Sequence, residues 1–104
     1  MQYTAPAVST YDVTVNHATL ALVELEKGGT GCSVQLSGAI DDRWAETFAR
    51  MRRESRALSR FDLDASTGIV SFVREQGSDP ADVIDALDNL DALVERVSLG
   101  ASRV

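Results

Sequence analysis

Few side chains in this sequence are of the kinds that do chemistry, and their spacing limits what each can do. His17 is the only histidine. General-base work requires an orienting partner and a pocket, and its nearest polar company is Tyr3, Tyr11 and Asp12. Because Asn tolerates positive φ, Asn16-His17 suits a tight turn, and His17 reads as a turn residue rather than a base. Cys32 is the only cysteine, so no intrachain disulfide and no cysteine-based metal site can form within one chain. A nucleophilic thiolate needs a nearby His or a helix N-terminus to lower its pKa. Neither is close in sequence, and Cys32 is expected to be a small core residue.

Two further patterns suggest ligands but resolve into structure. Asp62 and Asp64 stand two apart on an expected strand, where paired carboxylates can hold a divalent cation; with no third ligand in local spacing they read as a solvated face and a turn-capping Asp64. Lys27-Gly28-Gly29-Thr30-Gly31 has the glycine content of a phosphate cradle, but such a loop must lead into a helix whose amides face the anion. This one leads into alternating strand residues and is expected to be a hairpin loop. The sequence therefore predicts no catalytic residue, no metal ligand and no cofactor, and leans away from an enzyme.

The charges are more informative. The net charge is −6, and of the ten basic residues only Lys27 is a lysine. A negative field opposes broad contact with nucleic acid or anionic membrane, so neither is an expected partner. Arg50, Arg52, Arg53, Arg56 and Arg60 nevertheless cluster, whereas Glu75 to Glu95 contains no basic residue and repeats aspartate at 79, 82, 85, 88 and 91. If the two segments are neighbouring helices, their charges should pair with each other first, each exposed pair contributing about 0–1 kcal/mol.

These residues sit on elements that the hydrophobic periodicity marks out. Residues 1–10 have no period and are expected to form a flexible arm. Tyr11, Val13 and Val15 alternate with polar residues, the pattern of a half-buried strand. A second strand is expected over Thr19 to Glu26, and its apolar residues on both faces imply a central position or a covered outer face. Cys32, Val34 and Leu36 alternate in a third. Asp41 or Asp42 caps a helix running to about Ser55, with Trp44, Phe48 and Met51 on its buried arc. Phe61–Asp64 and Ile69–Val73 form a hairpin about Ala65-Ser66-Thr67-Gly68, with Gly68 in the left-handed position; Phe61, Leu63, Val70 and Phe72 should face inward and Ile69 and Val73 outward. Ser78 or Asp79, followed by Pro80, starts a second helix with Val83, Leu87, Leu90, Val94 and Val97 buried, ending at Gly100. Residues 100–104 should fray.

The order β-β-β-α-β-β-α over residues 11–99 predicts a single α+β domain. The expected form is a two-layer sandwich, a sheet of about five mainly antiparallel strands with both helices on one face, partly ferredoxin-like but lacking the last strand. With helices on one side, the apolar residues of the other side need a cover. A homodimer formed through the sheet supplies one, or else an unidentified protein partner. The partner-binding candidates are Ile69 and Val73 on the sheet and Arg50, Arg53 and Arg56 on the first helix. The sequence thus points to a small, soluble, cytoplasmic, non-enzymatic interaction or accessory module. The alternative is a small-ligand-binding regulatory domain, or a cofactor-free enzyme, with a pocket between sheet and helices.

Overall fold

The computed structural model describes residues 11–102. The expected N-terminal arm lies outside them, as do the last two residues of the expected tail. The elements are β1 (Thr14–Glu24), β2 (Thr30–Ser37), α1 (Asp42–Met51), a 3-10 turn (Arg52–Glu54), α2 (Arg56–Ser59), β3 (Asp62–Asp64), β4 (Ile69–Arg74) and α3 (Asp82–Ser102). Every strand pairing is antiparallel, in the order β1-β2-β4-β3. The class is α+β, as the sequence predicts. Among the described residues no helix is long and apolar enough to cross a membrane.

The described sheet has four strands rather than five, because the two strands expected on either side of Asn16-His17 are one. The turn chemistry of Asn16 is present, but it makes a bulge instead of a reversal. Asn16 Oδ1 accepts from the Ala18 amide, and Thr19 Oγ1 donates to the Asn16 carbonyl. Thr19 Oγ1 also accepts from the Gln35 amide at 2.8 Å, standing in for a backbone acceptor of the ladder. Asn16 pairs with Gln35 and Ala21 with Ser33, so residues 17–20 face the single residue Val34. The chain re-enters the ladder in its original direction, bent but not turned.

The other two expected reversals form as hairpins. At the second, the Asp64 carbonyl accepts from the Gly68 amide at 2.8 Å, Asp64 Oδ1 accepts from the Ser66 amide, and Gly68 takes φ +73°. At the first, the Gly28 amide donates to the Leu25 carbonyl and the chain passes directly into β2.

One face of the sheet builds the core. Cys32, Val34 and Leu36 of β2 and Val70 and Phe72 of β4 are buried with Trp44 and Phe48 of α1, Phe61, and the Leu87, Leu90, Val94, Val97 stripe of α3. Asp41 fixes the entry to α1 by accepting from the Trp44 amide at 2.9 Å, and it also takes the Tyr11 hydroxyl. Trp44 is fully buried, stacks on Phe48 at 5.7 Å and donates its indole N–H to the buried Ser98 hydroxyl. α1 passes at Met51 into the 3-10 turn, which ends where Ser55 turns extended and caps α2 by accepting from the Leu58 amide.

The C-terminal helix departs from expectation. It passes through Gly100 to Ser102, with Ala101 buried, so residues 100–102 are helix rather than fray. A Cβ at Gly100 would stand 2.6 Å from the Met51 methyl and 3.4 Å from Thr47 Cγ2. Gly100 therefore allows α1 and α3 to approach closely and is not a helix stop.

Candidate functional site

Residues that face away from the helices form cross-strand rows on the open side of the sheet. One row is Val23–Gly31–Val73; the next is Ala21–Ser33–Ser71–Asp62; the third is Asn16–Gln35–Ile69–Asp64. Gly31, Ser33 and Ser71 have small side chains, so the middle of the sheet is a low floor between taller walls. Val23, Val73, Asp62, Arg60 and Glu75 surround it, making an open hollow of about 620 Å³. Val23 and Val73 are 63% and 49% exposed. Scattered exposed apolar residues are ordinary, but two that share a row across a nearly bare glycine form a strip that water covers at a cost.

Ile69 and Val73 thus lie on the outer face, as their alternation predicts, with Ile69 half-buried. The arginines are on the helical side of the chain: Arg50 in the last turn of α1, Arg53 in the 3-10 turn and Arg56 at the start of α2. All three are exposed and, among the described residues, make no ion pair. Arg56 does line a shallow cleft together with Val73, Arg60, Glu75 and Asp82, which connects one arginine to the sheet candidates. Arg50 and Arg53 do not line it.

Among the described residues, the expected pairing of the arginine cluster with the acidic helix occurs at one place only. Arg60 reaches Asp82 with both ends of its guanidinium, at 3.1 and 2.9 Å, donates to the Val73 carbonyl at 2.8 Å and lies 5.3 Å from the centre of the Phe72 ring. A second bridge runs the other way, from Arg96 of α3 to Glu54. Arg52 stays local, bonding the Ser59 carbonyl and standing 3.6 Å from Asp62. The regular aspartate spacing is thereby divided among several tasks: Asp79 caps the turn before α3, Asp82 takes Arg60, Asp91 takes His17, and Asp85 and Asp88 are exposed.

His17 projects from the β1 bulge, and its Nε2 lies 3.0 Å from both carboxylate oxygens of Asp91. Its partner is 74 residues away in sequence, beyond any local reading. Cys32 is 2% exposed in the core, and burial pushes its thiol above the ordinary range, which opposes thiolate chemistry. Asp64 is a turn cap held below its ordinary value by the Ser66 hydroxyl and amide. Among the described residues no group of three His, Cys, Asp or Glu side chains could hold a metal ion. No family model, curated protein or solved structure matches this chain.

The Arg60–Asp82 pair gives the site a pH signature. Hydrogen bonds from Arg60 hold the Asp82 carboxyl below its ordinary value of 3.8, and the same bonds raise Arg60. A folded value below the unfolded one means that the stabilisation is complete above the unfolded value and is lost as pH falls through the folded one. Arg60 stays charged throughout. Asp41 and Asp64 are lowered as well and contribute with the same sign. The expected result is a loss of unfolding free energy as pH falls through and below the ordinary carboxylate value, with Asp82→Asn less stable than wild type near neutrality and the difference shrinking in acid. Urea unfolding at several pH values checks this; a difference that does not change with pH would be inconsistent with the pair.

What sequence reading missed is the hollow itself. The signal was available in the small residues at 31, 33 and 71, which fall on one face by alternation, but the pairing of β2 with β4 was needed to align them.

Proposed function

We propose that this chain is a non-enzymatic interaction module that associates with a second copy of itself through its sheet, in a cytoplasmic setting, and keeps Arg50, Arg53 and Arg56 for an acidic protein partner. The observation that carries this reading is the exposed apolar surface of the sheet, Leu22 and Val23 on the edge strand β1 and Val73 on β4, with the half-buried Ile69 two rows from Val73. A single thiol, buried in the core, agrees with a reducing compartment. The net charge of −6 makes an acidic partner for the exposed arginines a local match against an unfavourable overall field, so that contact should weaken with salt.

The fold reading that goes with it is a two-layer sandwich of ferredoxin-like kind. β2 and β3 run parallel on either side of β4 with α1 between them in sequence, as in a split βαβ unit. β1, beside β2, takes the edge that the last strand of such a fold would occupy.

Sedimentation velocity over a concentration series tests the function. A concentration-dependent dimer is expected; a monomer at every concentration overturns the proposal. A second reading, a small-ligand-binding domain, is favoured by one observation, the 620 Å³ hollow, which lies on the open face of the sheet rather than between sheet and helices as expected, with hydroxyls on its floor and carboxylates in its walls, a size suited to a small molecule. Under that reading a ligand that raises the melting temperature should lose its effect in Ser71→Phe, which fills the floor.

A further inference from the structure

The two edges of the sheet are built differently. β3 is three residues long and begins and ends on aspartate, the short, charged form that discourages pairing with another chain. β1 is eleven residues long and, among the described residues, is paired with a strand on one side only. Its bulge interrupts the first half, but Ala21-Leu22-Val23-Glu24 is regular strand, with a row of backbone amides and carbonyls facing outward. Apolar side chains are exposed on both of its faces. Leu22, 56% exposed, belongs to the helix-side row with Cys32 and Phe72, whereas Val23, 63% exposed, belongs to the outer row with Gly31 and Val73.

We infer that the occupant of this edge is a second copy of the chain, which adds its own β1 antiparallel about a two-fold axis at Leu22 and joins the two sheets into one. The inference rests on the self-association proposed above and names the surface that performs it. The side-chain pattern selects that axis. About Leu22, Leu22 lies opposite Leu22 of the copy and Ala21 opposite Val23. An axis at Glu24 opposes Glu24 to itself, and one at Leu25 opposes Glu24 to Glu26; like charges directly opposite are destabilising. An axis at Val23 sets Leu22 against Glu24 and leaves no leucine pair at the centre. The Leu22 register also carries Lys27, the only lysine in the sequence, toward the copy's bulge, where the Asp91 carboxylate sits on His17. Cation and carboxylate then meet at both ends of the joint, while backbone hydrogen bonds supply its middle. A self-complementary contact of this kind closes at two copies.

Leu22 and Val73 allow the edge to be tested apart from the face, because Leu22 points to the helix side and Val73 is on an interior strand. Sedimentation velocity on the full chain is expected to give a dimer whose dissociation constant rises at least about tenfold in Leu22→Lys, a buried unpaired charge at the centre of the joint. Val73→Lys should leave it within about threefold, and Lys27→Glu should weaken it measurably at low salt. Leu22→Cys should form a covalent dimer on oxidation, whereas the wild type, with Cys32 buried, should not. A wild type that is monomeric at every concentration overturns the self-association proposal and this inference with it. A wild-type dimer that dissociates in Val73→Lys but survives Leu22→Lys, or one indifferent to both with no cross-link from Leu22→Cys, overturns the edge contact and leaves self-association standing.

Discussion

Trp44→Ala is expected to lower the free energy of unfolding by about 3–5 kcal/mol, as for other large aromatic residues removed from a packed core. The side chain is fully buried and stacked on Phe48, and it bridges α1 to α3 through Ser98. Against a total stability of about 5–15 kcal/mol for a domain of this size, such a loss leaves little reserve. Volume and hydrogen bond can be separated. Ser98→Ala removes the acceptor and strands a buried indole N–H, at about 1–3 kcal/mol. Trp44→Phe gives up both the bond and part of the volume, and should fall between Ser98→Ala and Trp44→Ala. In the double variant Trp44→Phe, Ser98→Ala the two losses should not add, because one bond is being counted twice. Urea unfolding followed by far-UV circular dichroism measures all of these, the tryptophan signal being lost in the Trp44 variants. A Trp44→Ala cost near zero would mean that α1 does not pack on α3 as described.

The second large effect belongs to Phe72. Phe72→Ala should cost about 3–5 kcal/mol, and Phe72→Leu, which retains most of the volume, about 1–2 kcal/mol. Phe72 is 3% exposed and meets Phe61 edge to face, with ring centres 5.5 Å apart and planes at 79°. Arg60 lies over the same ring while it holds Asp82 at the start of α3. Losing the ring therefore removes a floor from beneath a charged pair as well as core volume. The consequence is coupling: Arg60→Met and Phe72→Leu together should cost less than the sum of the two singles, because the cation–aromatic contact is already gone in either one. Strict additivity in the cycle would show that Arg60 acts through Asp82 and the Val73 carbonyl and not through the ring.

Local chemistry made much of the fold legible. The Asp64 to Gly68 turn was readable because a side-chain acceptor at one end and a left-handed glycine at the other specify a hairpin within five residues. The buried faces of α1 and α3 followed from helical spacing, and the outward placement of Ile69 and Val73 followed from strand alternation. The Asp41 cap was equally local. In each case the deciding interactions reach no further than one turn of chain.

Where two local readings competed, only the tertiary structure chose between them. Asn16 favours a bend whether the chain reverses or bulges; the Gln35 amide, waiting for an acceptor on the neighbouring strand, decided for the bulge and so for four described strands instead of five. Gly100 suits a helix stop, but the nearness of Met51 and Thr47 makes it a point of close contact inside a longer helix. Charge run against charge run suggested wholesale pairing, yet helix geometry brought together Arg60 with Asp82 and Arg96 with Glu54, and left Arg50, Arg53 and Arg56 outward. The sequence by itself determined which residues are apolar on which face of each element. Which edges and faces remain open was decided by strand order, since a sheet has no inside until another layer covers one of its sides.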